Sequence, residues 1–262
     1  MKKFFASMFV LAVAATLWGC KEEEKVIPNP DQSFEKVKSA GVLVMGHMGA
    51  FPPMVYTDKD SNFIGFDIDL ASEVCKRLGL KLKHKVIAWE DKEKELNAGN
   101  IDCVWNGMSI DSARAAAMNL SDPYLTNRMV FTIKNKAFDH PDSLKGKKIG
   151  VQKASTAQPL LEKSSTGEEA KEIVVFENVS LALEALEQGT VDAVYTDEVA
   201  AKHLNVLNGT EYIFLEEGSA NEFYAVGFRK KDEALRDTIN AVLNTIKRDG
   251  KFIDISIKWF GK

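Results

Sequence analysis

Two side chains of opposite charge stand where apolar runs of this chain give way to helical ones. Arg114 follows Ser109, Asp111 and Ser112, all residue types that cap helix N-termini, so it falls in or near a first helical turn. The helix dipole disfavours a cation there, and a bound anion would offset that cost. A planar guanidinium beside backbone N–H groups is a strong holder of a carboxylate; the bland alternative is a surface arginine. Asp197 ends the apolar run 193–195 with Thr196, where an acid facing a cleft calls for a cation. It could equally cap the helix expected over 198–204. Thr156, with Lys153 and Ser155 beside it, reads as a hydrogen-bonding loop at a helix start, with capping alone as the other reading. Asn106, Gly107 and Ser109 gather at another strand end. Phe51 and Trp89 fall in loops and offer two flat faces to a side chain, although Trp89 could pack on its own domain. Trp105 is assigned to the core. Asp67 and Asp69, at helix-start spacing, are assigned to capping and the dipole.

These groups are placed by an internal repeat. LNAGNIDCVWNG (96–107) returns as LEQGTVDAVYTD (186–197), with Leu96/Leu186, Gly99/Gly189, Ile101/Val191, Asp102/Asp192 and Val104/Val194 in register. Each copy reads as a helix end with glycine near its C-cap, a tight turn and a short apolar strand. Ligands of open α/β sheets sit outside the carboxyl ends of the strands, so two copies predict two lobes with a cleft between them.

The flanking pattern agrees. Upstream, a helix over 34–40, a strand over 42–46, a Gly/Pro-rich loop, a helix from about Asp67 to Leu78, a strand over 80–88 and a helix over 90–97 lead into the first copy. Downstream, a strand over 147–151, the loop 153–158, a helix through Leu160 and Leu161, a strand over 172–176 and a helix capped at Asn178 lead into the second. The apolar runs 129–133 and 223–228 are expected to pair as the crossings between lobes. Helices over 233–260 would pack back on the first lobe through Leu235, Ile239, Val242, Leu243 and Ile246.

At 262 residues there is room for two modest α/β domains. The formal net charge is −4, and no basic stripe interleaves with aromatics, which excludes nucleic acid as a partner. The four histidines are scattered, so neither zinc nor another metal is expected, and no cofactor motif is present. Lys2 and Lys3, then the apolar run 4–18, form a secretory leader ending before Cys20. In an exported chain Cys75 and Cys103 could form a disulfide, but two buried free thiols are the favoured reading.

Four segments, GFDIDLA (65–71), NGMSIDSAR (106–114), KGKKIGVQKAST (145–156) and YTDEVA (195–200), occur in the order found in periplasmic-type amino-acid-binding proteins, the solute receptors of ABC importers. The chain resembles that family over about 34–260. The resemblance implies a two-lobed periplasmic-binding-protein type II fold, with a parallel-sheet α/β domain in each lobe and a two-strand hinge. The lobes would divide as 34–127 and 225–262 against 128–224. It also implies roles. Arg114 clasps the ligand α-carboxylate, joined by Thr156. Asn106, Met108 and Ser109, with Gly107 among them, help hold the two ends of the amino acid. Asp197 takes the α-ammonium, Phe51 and Trp89 hold the side chain, and Lys153 lies in the second-lobe ligand loop. Leu17-Trp18-Gly19-Cys20 resembles a bacterial lipobox. That implies a signal peptide over 1–19, a diacylated Cys20, a tether over 20–33, and a monomeric receptor anchored to a membrane at the periplasm or cell surface. Its partners would be a free amino acid and an ABC permease in the inner membrane.

In the family's receptors for basic amino acids an acidic residue lies three before the first aromatic. Here that place is Met48, so a polar uncharged ligand of the glutamine or cystine kind is expected, unless Glu90 turns inward. Two alternatives are an enzyme resembling cyclohexadienyl dehydratase, which would need Lys153 or His47 as acid–base group, and a ligand-sensing module. Against the latter, the chain carries no spanning segment or signalling domain before Lys262.

Overall fold

The structure, a computed structural model, describes residues 31–215 and 221–261. The expected leader and Cys20 lie outside the described residues, as does most of the expected tether. Among the described residues no helix is long and apolar enough to cross a membrane.

Two five-stranded sheets carry the chain. In the first, Lys81–Val86, Val42–His47 and Cys103–Val104 run parallel, followed by Gly227–Phe228 and Asn119–Leu120, with Gly227–Phe228 antiparallel to both of its neighbours. In the second, Glu172–Phe176, Lys148–Gln152 and Ala193–Asp197 run parallel, followed by Met129–Ile133 and Ile213–Leu215, with Met129–Ile133 antiparallel to its neighbours. The order second-first-third is the same in both sheets, and each adds two strands beyond its parallel core. The fold is that of the type II periplasmic binding proteins.

The repeat owes its register to backbone accounting. Gly99 and Gly189 take φ values of +71° and +70°, a left-handed conformation that favours glycine, at the ends of helices Lys92–Asn97 and Val179–Glu187. Three residues on, Asp102 accepts from the Val44 N–H at 2.8 Å and Asp192 from the Lys148 N–H at 2.9 Å. Each aspartate also donates its own N–H to the carbonyl of that same strand residue. The repeated spacing therefore clips each new strand onto the first strand of its sheet's parallel core.

The crossings between sheets are not the ones the apolar pattern suggests. Met129–Ile133 is buried at every residue and lies inside the second sheet. A run apolar on both faces belongs to a strand covered on both sides, not to a ribbon facing solvent. The two-stranded ribbon pairs Leu125–Asn127 with Glu222–Tyr224, and Thr126 and Phe223 are exposed on it. Gly227–Phe228 belongs to the first sheet.

The helix Glu233–Arg248 buries Leu235, Ile239, Leu243 and Ile246 against the first sheet's helices, while Val242 is partly buried. Its start is pinned by the chain ahead of helix Ser33–Ala40: Asp31 accepts from the Ala234 N–H at 2.5 Å and the Ser33 hydroxyl from the Leu235 N–H at 3.0 Å. The last residues of the expected tether are thus docked on the body. Cys75 and Cys103 are buried free thiols.

Candidate functional site

The first copy's strand ends at Val104, and Trp105 turns into the core. At Gly107 φ is +56°, and a Cβ there would stand 2.8 Å from Cε1 of Phe51. Only glycine fits both constraints. Its N–H donates to Asp67 at 2.6 Å, and the Tyr124 hydroxyl donates to the same carboxylate oxygen at 3.1 Å. Asp67 is thus no cap. Helix Phe66–Leu78 begins at Gly65 without a side-chain cap, and the fully buried Asp67 reaches away to hold the loop after the repeat strand. Burial pushes its carboxyl up to about 7. Asp69 instead meets Lys258 and the Trp259 indole N–H. Asn106 accepts from the Met48 N–H at 3.2 Å.

Met108 and Ser109 diverge. Met108, between two residues that line the cavity, points into an apolar cluster with Ile87, Leu96 and Ile101. It gives the site only its carbonyl's bond from the Ala225 N–H, 2.9 Å. The Ser109 hydroxyl donates to Glu222 at 2.9 Å.

Arg114 is the third residue of helix Ser112–Ala117, whose N-cap Asp111 accepts from the Arg114 N–H at 2.7 Å. The guanidinium is buried. It donates to the Ser109 carbonyl at 2.7 Å and, across to the second lobe, to the Ala154 carbonyl at 3.4 Å. Asp111 lies 3.4 Å from its Nε, and the Trp89 ring centroid 5.7 Å from its Cζ. Burial draws its pKa below the ordinary arginine value, and the charges of Asp111, Asp197 and Glu222 oppose that shift.

From the second sheet, Lys148–Gln152 ends on the buried amide of Gln152, which donates to the Met48 thioether at 3.5 Å. Ser155 donates to the Gln152 carbonyl at 2.7 Å. Thr156 precedes helix Ala157–Glu162 without capping it through its side chain. Asp197 holds the cap position of helix Glu198–Asn208, again without a capping bond. Its carboxylate instead accepts from Asn127 at 2.7 Å and from the Tyr224 hydroxyl at 2.5 Å, both on the crossing ribbon. Burial and the neighbouring negative charge of Glu222 push its carboxyl up to about 7.

These groups line one cavity, bounded by Phe51, Trp89, Asn106, Gly107, Ser109, Arg114, Thr156 and Asp197 from the sequence-predicted set. Met48, the position read for ligand charge, Ser155, read together with Thr156, and Gln152, which sequence reasoning missed, complete the wall. Gln152 carries the same signal as Asp197, a polar residue at the carboxyl end of an apolar strand. Asn127, Glu222 and Tyr224 carry no local signal, because only the chain crossing brings them beneath the cavity. Trp89 serves both of its readings, packing with Ile87 and Leu96 while it lines the cavity.

Lys153 is not on the wall. Its long side chain runs out to the rim, 2.8 Å from Glu90 and 3.4 Å from Glu177. Glu90 is correspondingly held outward. His47 is fully buried behind the wall, edge-on to Phe63, with its ring nitrogens unpartnered, and burial beside His84 pushes its pKa down to about 4. Neither candidate acid–base residue faces the cavity. Among the described residues no three His, Cys, Asp or Glu side chains are grouped to hold a metal.

Comparisons with known proteins place the chain in a family. A family model described as bacterial extracellular solute-binding proteins, family 3, matches residues 43–262. The L-cystine-binding protein TcyA of Bacillus subtilis (strain 168) is 30% identical over 271 residues, covering 100% of this chain and 98% of its own. A probable histidine-binding protein of Neisseria gonorrhoeae is 30% identical over 270 residues, covering 100% and 97%. Among solved structures, an ABC uptake transporter substrate binding protein from Streptococcus pneumoniae with bound histidine gives a TM-score of 0.84 at 31% identity, over 89% of this chain and 97% of that one.

Proposed function

The chain belongs to the bacterial extracellular solute-binding proteins of family 3, and with its role as an amino-acid-binding protein of an ABC transporter as premise, we propose which ligand it takes and how. The ligand is a single free α-amino acid with a polar, uncharged side chain, of the glutamine or cystine kind. Its carboxylate meets the N–H groups left on Arg114, with the Thr156 hydroxyl beside them. Its ammonium meets Asp197. Its side chain lies between Phe51 and Trp89 and extends toward Met48 and Gln152.

The observation that carries this reading is that Arg114 and Asp197 line one cavity from opposite sheets with no ion pair between them among the described residues. A buried cation and a buried carboxylate so placed are each costly alone, and a zwitterion satisfies both. Among the described residues Asp197 is the only carboxylate on the wall, and Lys153 engages Glu90 at the rim. A guanidinium or ammonium side chain would enter without a counter-charge, which disfavours arginine, lysine and protonated histidine.

A ligand that touches both lobes binds the closed arrangement better than an open one, and that difference in affinity is what drives closure. The permease then receives a closed, loaded protein. Attachment of Cys20 to lipid is part of the same proposal, supported by the motif alone; loss of acyl incorporation in Cys20→Ser would test it. A thermal-shift screen of all twenty amino acids and cystine tests the ligand class. The reading expects glutamine or cystine to raise the melting temperature most. A larger shift with arginine or lysine would overturn it.

A further inference from the structure

The crossing ribbon places a second carboxylate under the ammonium subsite. The Glu222 carboxylate accepts from the Ser109 hydroxyl at 2.9 Å and from the Asn127 amide at 3.4 Å, through the same oxygen. The Asn127 amide nitrogen also donates to Asp197 at 2.7 Å. One amide thus bridges two carboxylates on the cleft floor. Ser109, for its part, is tied by an isolated antiparallel bridge to Tyr224, whose hydroxyl donates to Asp197. Glu222 does not line the cavity itself.

We propose that Glu222 is a positioning residue for amino-group capture: it orients Ser109 and Asn127 around Asp197 and sets a second negative charge beside it, so that binding an ammonium releases a proton from the floor. The proposal rests on the reading of Asp197 as the ammonium partner. Burial and the charge of Glu222 both favour the protonated form of Asp197, and an arriving ammonium favours the ionised one. The groups facing Asp197 are Glu222 and Tyr224 from one crossing strand, the uncharged Asn127 from the other, and Arg114 from the helix after the first repeat. Of these only Arg114 is a cation, and its charge is shared with Asp111. In the ligand-free protein Asp197 titrates near 7, with burial as the main cause and Glu222 as the next. An arriving ammonium needs the ionised form. Affinity should therefore be flat above about pH 7 and fall by up to about tenfold per pH unit below it, one proton being released per ligand.

Glu222→Gln separates this role from mere packing, because it keeps the shape and removes the charge. Two measurements on the full-length protein decide the matter. The first is the NMR titration of the ligand-free Asp197 carboxyl carbon, identified by its loss in Asp197→Asn. The second is calorimetric affinity between pH 5.5 and 8.5 for L-glutamine, L-cystine, L-histidine and L-arginine, followed with whichever binds the unaltered chain most tightly. The expected result is a crossing of profiles. In Glu222→Gln the Asp197 midpoint moves down by about half to one pH unit, so affinity holds to lower pH. The plateau at pH 8.5 weakens roughly three- to tenfold, because one attractive charge is gone. Glu222→Asp, which keeps the charge but is one methylene short of Ser109, should retain most of the midpoint. An unmoved midpoint and an unchanged plateau in Glu222→Gln, with Asp197→Asn still abolishing binding, would show Glu222 idle and leave the subsite reading standing. Undiminished binding by Asp197→Asn would overturn both.

Discussion

The two copies of the repeat do the same structural work and opposite chemical work. In each, a left-handed glycine ends a helix and an aspartate three residues later clips the new strand to the first strand of its sheet. Beyond the strand the copies part. The first continues into a loop and a short helix, so its charge, Arg114, arrives ten residues after Val104 and is buttressed by backbone carbonyls. The second ends on its charge directly, since Asp197 is the last residue of its strand and is buttressed by side chains from the crossing ribbon. A duplicated scaffold thus presents a guanidinium on one wall and a carboxylate on the other, the two charges that the proposed zwitterion requires.

The largest effects should come from breaking that asymmetry. Arg114→Ala and Asp197→Ala each remove one half of a buried charge contact, which typically costs about 2–5 kcal/mol of binding. Calorimetry should find no measurable affinity for the amino acid in either, with circular dichroism unchanged; retained affinity in either would dissolve the pairing of roles. Next comes Gly107→Ala. The added methyl meets Phe51 at 2.8 Å in a left-handed conformation, so stability should drop by about 1–2 kcal/mol. Binding should weaken as well, through displacement of Phe51. Gly99→Ala and Gly189→Ala have the same backbone cost but open space around the new methyl. They should lose equal stability in urea denaturation and leave affinity alone. Unequal losses would mean that the repeats are not equivalent as scaffolds.

A smaller effect is carried by pH. Asp67 titrates at about 7 in the folded chain, against an ordinary aspartate value of 3.8. Between those values the folded state holds more protons than the unfolded one, so stability from this group is full below about pH 4 and is lost as pH rises through 7. Asp67→Asn keeps the shape without the charge. Its stability relative to the unaltered protein should therefore improve from pH 5 to pH 7.5, as read by urea midpoints. The smallest effect belongs to the rim. The Lys153–Glu90 pair is about two-fifths exposed on both sides, and solvent screens such pairs strongly. Lys153→Ala should weaken binding only a few-fold, and less at high salt.

Much of this was legible in the sequence because the repeat marks strand ends, and strand ends are where the charges sit. Arg114 and Asp197 stand out by residue type and position together with the family resemblance, Gly107 and Asn106 come with them, and all four line the cavity. What escaped was whatever depended on long-range closure. Asp67 looked like a cap because its neighbours in sequence form a helix start, while its partners, Gly107 and Tyr124, lie at least 40 residues away. Met129–Ile133 was read as a crossing because period and composition do not distinguish a central strand from a connecting one. Met108 is placed at the site by resemblance, whereas the bend at Gly107 turns its side chain into the apolar cluster with Ile87 and Ile101. Lys153 stood beside true wall residues, but its length took its charge to the rim.

The account turns on one amino acid being held by both of its ends at once, and the ligand can be altered as readily as the protein. Calorimetric titration of the unaltered chain with the amino acid that binds it, and with the Nα-acetyl and α-carboxamide derivatives of the same molecule, tests this directly. The account predicts tight binding of the parent and loss of both derivatives, the first for want of an ammonium at Asp197 and the second for want of a carboxylate at Arg114. Binding of either derivative with the parent's affinity would contradict it.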